Sequence, residues 1–308
     1  GRDSRRCVLS DCSLLLKKKR GTKARAGDRT NRKVLITGGA SGFGLELAKQ
    51  FLGRGDRVVV TDIHAEAPDT VLALGPRAEY RTLDVTSEDD WAAAGAAHPD
   101  IDVLVSNAGI AVGGRVERTS METWQRAFDI NFFGSVRGVR AFVPLLPDGA
   151  QIVLTASLAG LVHPSVMSTY NTTKAALVAL AETLSFELAH RDIAVTAVCP
   201  TFFRSNLRNS LTGDDPRADD MAGFLLTRTT LTAETIARRA MRGIEARRVI
   251  VTTDSQSTGS FYLKRFARPL YLAAFRRVGK LGHARMQKPA PKSLKRGAGD
   301  GRARNLDA

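Results

Sequence analysis

From Lys33 onward, short stretches that are apolar at every position alternate with longer Ala-, Leu- and Glu-rich stretches. Val34-Leu35-Ile36-Thr37 opens the series, and comparable runs recur at Arg57–Asp62, Tyr80–Val85, Val103–Ser106, Ile152–Ala156, Ile193–Cys199 and Arg248–Thr253. Continuous apolarity, rather than alternation, marks strands buried on both faces. The stretches between them, such as Leu45 to Leu52, have helical composition. The pattern therefore predicts an α/β fold, with seven parallel strands joined by helical crossovers into a doubly wound sheet. No internal repeat and no Pro/Gly/Ser linker divides residues 31–254, which read as a single domain.

The two ends break the pattern. Residues 1–30 lack apolar periodicity and carry Lys17-Lys18-Lys19-Arg20 in a row. Asp11 interrupts the apolar stretch after Arg5-Arg6, which argues against a secretory signal. A disordered, solvated basic extension is the expectation, with a nuclear-import or nucleic-acid tail as the alternative. At the other end, residues 255–308 form a basic segment. Pro269 suits the first turn of a helix that puts Leu270, Ala274, Val278 and Leu281 on one face, with Arg276, Arg277 and Lys280 around the rest. Two fates fit that helix. It lies on an anionic membrane surface, or it packs on its own domain or a sister subunit. Beyond about Gln287 a disordered basic tail is expected.

Charge then changes the picture. The 308 residues carry a formal +15. Residues 1–30 contribute +7 and residues 255–308 contribute +11, leaving the body at −3. Basicity that belongs to the ends argues against a phosphate-tracking groove for nucleic acid across the domain. Three cysteines exclude a disulfide scaffold, and no His/Cys spacing suggests a metal. No apolar run approaches the ~18 residues of a membrane span. The expected setting is cytoplasmic and reducing, with peripheral membrane contact through the C-terminal helix as the variant.

Candidate chemistry gathers where the predicted strands end. The first strand runs into Thr37-Gly38-Gly39-Ala40-Ser41-Gly42-Phe43-Gly44 and then a helix. Glycines there let the backbone approach a pyrophosphate, and the helix N-terminus supplies free N–H groups and a positive dipole. Taken alone, such a turn also serves to pack strand against helix. Asp62 closes the second strand, where a carboxylate can bind both ribose hydroxyls and would repel the 2′-phosphate of NADP. With no basic residue in the turn, NAD is favoured over NADP. Lys174 is the only lysine between Gln50 and Leu263, and it lies one helical turn after Tyr170. An ammonium that close lowers a phenol's pKa and readies it for proton transfer. Ser157 stands at the end of the fifth strand, Asn107-Ala108-Gly109 follow the fourth, and Asn131 is a polar residue within an apolar helical stretch.

In order and spacing these pieces resemble the short-chain dehydrogenase/reductase family over residues 31–254: TGxxxGxG (Gly38, Gly42, Gly44), Asn107 to Gly109, Asn131, Ser157, and Tyr170 with Lys174. The resemblance implies a Rossmann-type fold binding NAD(P), with Ser41, Phe43 and Pro200 also at the cofactor and Asp84-Val85 against adenine. It implies that Tyr170 is the general acid/base and that Lys174 tunes it and holds the nicotinamide ribose. Ser157 then binds the substrate oxygen, Asn131 anchors a relay water, and hydride passes between substrate carbon and nicotinamide. It further implies a homodimer or homotetramer. Three positions depart from the family pattern: Ser106 replaces an Asn, Thr201 a Gly, and Ser205 a carboxamide-binding Thr. Phe202, Phe203, Met221, Phe224, Leu225 and Leu226 after strand six, with Leu161, Val162 and Met167, suggest a cleft for a small apolar alcohol or ketone; His163 is a candidate pocket residue. An NADP-dependent carbonyl reductase and a non-enzymatic dinucleotide sensor are the alternative functions.

Overall fold

The computed structural model describes residues 31–201, 203, 214–215 and 229–286. The basic N-terminal extension, the tail from Gln287, Ser205 and most of the segment between Thr201 and Thr230 lie outside the described residues.

Seven parallel strands form one sheet in the order β3-β2-β1-β4-β5-β6-β7. They are β1 (Lys33–Thr37), β2 (Arg57–Asp62), β3 (Ala78–Thr82), β4 (Val103–Ser106), β5 (Gln151–Thr155), β6 (Ala194–Cys199) and β7 (Ile250–Thr252). The strands alternate their side chains between two apolar layers. Val34, Ile36, Val58, Val60, Val103 and Val105 point to one layer, and Leu35, Val59, Leu104, Ile152 and Leu154 to the other. The first layer is closed by α1 (Gly42–Gly53), through Leu47, Ala48 and Phe51, and by α8 (Ala233–Glu245), through Ile236, Ala240 and Ile244. The second is closed by α3 (Glu88–Ala97), α5 (Gly134–Phe142) and α7 (Ser168–Glu187), which contribute Trp91, Phe142 and Leu177. Coverage of both faces is why the strand sequences are apolar throughout.

The third strand departs from expectation. It ends at Thr82, not Val85. The Leu83 amide still donates to Asp62 O, but Asp84 then turns the chain by accepting the Thr86 amide and hydroxyl on Oδ1. Local bonding by an Asp carboxylate competes with the ladder and stops it. As an edge strand, β3 is also only half buried.

The short helices α2 (Asp69–Leu72), α4 (Met121–Phe128) and α6 (Ala159–Val162) complete the body. A π-helical turn, Asp129–Phe133, joins α4 to α5. After β7 come α9 (Ser255–Phe266) and α10 (Arg268–Met286), the latter beginning beside Pro269 as the sequence suggests. Its inward anchor is not the expected stripe. Tyr271 is 3% exposed within the second apolar layer, whereas Leu270 and Val278 face outward at 65% and 60%. Packing on its own domain therefore uses one aromatic residue and leaves the predicted apolar face open among the described residues.

Candidate active site

The strand order reverses between β1 and β4, and ligands of open α/β sheets bind at the carboxyl ends there. A cavity of about 510 Å³ lies at this place. Its walls come from Gly38 after β1, Asp62 at the end of β2, Asn107 after β4, Ser157 after β5 and Pro200 after β6. Ser41, Gly42, Phe43, Gly44, Asp84, Val85, Ala108, Gly109, Tyr170 and Lys174 line it too. Thus the structure brings together every residue expected to bind the cofactor, apart from Ser205 outside the described residues.

The glycine turn is cross-braced. Asn107 Nδ2 donates to the carbonyls of Thr37 and Gly38, both at 3.0 Å, and its Oδ1 accepts from Thr155 Oγ1. Thr37 Oγ1 accepts the amides of Asn107 and Ala108. A Cβ on Gly44 would stand 2.3 Å from Gly38 O and 2.4 Å from Asn107 Nδ2, so only glycine fits this approach. Gly42 has φ +55° and open space before it. Ser41 caps α1 with no side-chain bond, and the first turn contains no acid. The turn thus presents amides and a positive dipole to the cavity, which fits a dinucleotide pyrophosphate. Asp62 is held by the amides of Ala40 and Ile63 and borders the same cavity.

At the other end of the cavity, α7 raises Tyr170 and Lys174 on one face. Lys174 Nζ donates to Thr155 O at 2.8 Å and lies 5.8 Å from the centre of the Tyr170 ring. Burial lowers the Lys174 pKa to about 8. The expected depression of the phenol does not occur in this geometry. Burial raises the Tyr170 pKa, and the opposing influence is its hydrogen bond with Ser157. Ser157 Oγ also accepts the Ala159 amide at 3.1 Å, which orients it at the start of α6. Behind Lys174, Cys199 is buried, and its thiol is pushed up to about 12. That thiol is inert at neutral pH.

Asn131 stands behind the cavity wall, in the π-helical turn. It does not bond its own helix. Its Oδ1 accepts the Ile110 amide at 2.7 Å, and Nδ2 donates to Ile110 O and Thr173 Oγ1. A Cβ on Gly109 would be 2.9 Å from Asn131 Oδ1 and 3.5 Å from Lys174 Nζ, which shows how closely these groups meet. Widened π turns commonly mark functional sites because they re-aim one side chain inward.

Several expectations need correction. Leu161 and Val162 are buried in the second apolar layer and do not line the cavity, although Met167 does. His163 ends α6 at φ +54°, outside the cavity, with Lys264 Nζ 2.7 Å from its Nδ1. Ser106, which stands where the family pattern has Asn, donates its Oγ to Ser135 Oγ at 2.8 Å and ties β4 to α5. Thr201 lines the cavity, and its amide bonds Thr253 Oγ1. Sequence reasoning missed Thr37 and Thr155. Their sole signal is a polar residue closing an apolar strand. Phe203, expected at the apolar cleft, does line the cavity, its ring 5.9 Å from that of Phe43. Among the described residues, no group of three His, Cys, Asp or Glu could hold a metal.

A dinucleotide-binding oxidoreductase is the class of protein that this fold and cavity define. Comparison with known proteins narrows the class: residues 32–216 match the family model described as short chain dehydrogenase, and the chain belongs to that family. The 2-(R)-hydroxypropyl-CoM dehydrogenase of Xanthobacter autotrophicus is 36% identical over 184 residues, covering 55% of this chain and 74% of that protein. The 3-alpha-(or 20-beta)-hydroxysteroid dehydrogenase of Mycobacterium tuberculosis is 32% identical over 182 residues, covering 57% and 70%. The crystal structure of a short chain dehydrogenase/reductase from Burkholderia phymatum in complex with NAD superposes with a TM-score of 0.73 at 28% identity, over 78% of this chain and 95% of that one. The protein is thus an NAD(P)-binding enzyme that acts on hydroxyl or ketone groups.

Proposed function

We propose that the enzyme interconverts a small apolar secondary alcohol and its ketone, with NAD preferred over NADP. One observation carries the reading: Ser157, Tyr170 and Lys174 line one cavity with the glycine turn and Asp62. The bound dinucleotide supplies the hydride acceptor or donor. Tyr170 passes the proton to or from the substrate oxygen, and Ser157 holds that oxygen by a hydrogen bond that strengthens as charge develops. Lys174, anchored on Thr155 O, adds positive charge beneath the phenol and a donor for the ribose. Asn131 fixes the Ile110 backbone and the far side of the Lys174 site, where a relay water is to sit. Asp62 accepts the adenosine ribose hydroxyls and repels a 2′-phosphate. Met167 and Phe203 give the substrate end its apolar character.

Assembly as a homodimer or homotetramer is part of the same reading. Phe186 on α7 and Phe133 in the π turn are exposed aromatics outside the cavity, of the kind that subunit contacts cover. The test is a panel of apolar secondary alcohols and ketones, followed by reduced-nicotinamide absorbance with NAD and NADP in parallel. Turnover with NAD on cyclic or lipid-like alcohols is expected. Turnover confined to sugars or charged hydroxy acids, or tighter calorimetric binding of NADPH than NADH, overturns the assignment.

A further inference from the structure

We propose that the α9–α10 pair is a docking surface for an anionic lipid bilayer. The argument does not depend on the substrate reading above. Residues 255–286 hold seven Lys and Arg and no Asp or Glu. Residues 287–308 add six more basic residues against two acids. Interleaved with these charges are large apolar side chains that nothing covers among the described residues: Tyr262, Leu263, Phe266, Leu270 and Val278, with Phe266 the most exposed at 79%.

The surface is anchored to α6. The Tyr271 hydroxyl donates to Val162 O, its ring stacks 4.3 Å from Phe275, and Lys264 Nζ donates to Leu161 O. At 100° per residue Leu270 lies one step round from the inward Tyr271, with Arg277 beside it, while Val278, seven positions on and nearly on the Tyr271 face, is still 60% exposed. Arg276 and Lys280 lie farther round. Apolar stripe and cationic border match the chemistry of an interface-lying helix: acyl chains receive the apolar side chains, and anionic headgroups receive the cations. No helix among the described residues is long and apolar enough to cross a membrane, so the contact is superficial.

Charge also decides against a second copy of the chain on this face. In a two-fold contact the patch meets itself, and each cationic surface would face another with no acid to offset it. The placement has a functional side. Leu161, Val162 and His163, which the pair grips, belong to the loop between Ser157 and Tyr170. Docking therefore sets the cleft beside the bilayer, where apolar molecules dissolve.

The test is co-sedimentation of the full chain with vesicles of phosphatidylglycerol mixed with phosphatidylcholine, and with phosphatidylcholine alone, at low salt. Preferential pelleting on the anionic vesicles by about tenfold or more is expected, and it falls as salt rises. The double variants Phe266→Glu/Leu270→Glu and Arg276→Glu/Arg277→Glu change only exposed positions, so folding and turnover on a water-soluble substrate stay intact. Both are expected to lose the pelleting. Three results overturn the proposal. One is negligible pelleting of the full chain. Another is pelleting unaltered by Phe266→Glu/Leu270→Glu, which assigns it to the basic tail alone. The third is a drop in oligomeric mass of that variant by light scattering, which assigns the face to a protein contact.

Discussion

Lys174 and Tyr170 are one helical turn apart, with the ammonium 5.8 Å from the ring centre and hydrogen-bonded to Thr155 O rather than to any carboxylate. Burial disfavours the charged form of both groups, so it moves their proton affinities in opposite directions. The phenol resists losing its proton, and the ammonium loses its own more readily. That pairing gives the candidate site a pH signature.

Tyr170→Phe deletes the transferable proton while leaving the ring in place. Steady-state turnover is expected to fall by about 10²–10⁴-fold, with dinucleotide affinity nearly unchanged by calorimetry. A folded variant with near-native turnover contradicts the role given to the phenol.

Lys174 supplies a stability test. Its pKa is about 8 in the folded protein against 10.5 for an unperturbed lysine, so above pH 8 the unfolded chain binds the proton more tightly. The burial penalty is complete below pH 8 and is relieved as pH climbs toward 10.5. Urea denaturation of Lys174→Met and the native protein therefore diverges with pH. From pH 7 to 9.5 the difference moves about 2 kcal/mol in favour of the native protein. A pH-independent difference means Lys174 is not buried as a charge.

Asp62→Ala removes two charged acceptors from the ribose end. NAD binding is expected to weaken by about tenfold or more, while NADP binding is unchanged or improves, so the preference narrows. Isothermal calorimetry with both dinucleotides measures it. Equal weakening toward both would mean that Asp62 only braces the turn through the Ala40 and Ile63 amides.

The two glycines of the turn separate backbone strain from crowding. In Gly42→Ala the new methyl meets open space, and only the left-handed φ of +55° is strained, at a cost of about 1–2 kcal/mol. In Gly44→Ala the methyl collides with Gly38 O and Asn107 Nδ2, so the brace between β1 and β4 must open. Thermal denaturation without dinucleotide should show the second variant clearly less stable than the first. Similar melting temperatures would remove the argument for close approach at Gly44.

Continuous apolar runs made the buried strands legible, because β1, β4, β5 and β6 are covered on both faces. β3 was blurred, being an edge strand cut short by the local bonds of Asp84. Side chains to which we assign direct roles, such as Ser157, Tyr170 and Asp62, announce themselves by type and spacing. Thr155 does not, since its contribution to Lys174 is a backbone carbonyl that any residue carries. The raised proton affinity of Tyr170 depends on enclosure by distant elements, which local spacing does not encode. Tyr271 was missed for a related reason. Its partner is the Val162 carbonyl, 109 positions away in the chain, which the pattern of the helix alone does not encode.

That carbonyl has a consequence for assembly. The loop carrying α6 takes donors from Lys264 and Tyr271, which are 103 and 109 positions later in the chain. During synthesis the first five strands can pair while those donors have yet to be made. The segment between Ser157 and Tyr170 must wait for α9 and α10 before it is pinned. A ribosome-bound intermediate would therefore hold the dinucleotide turn complete and the proton-transfer side still loose. The two helices that pin this side, α9 and α10, are made long after Tyr170 and Lys174.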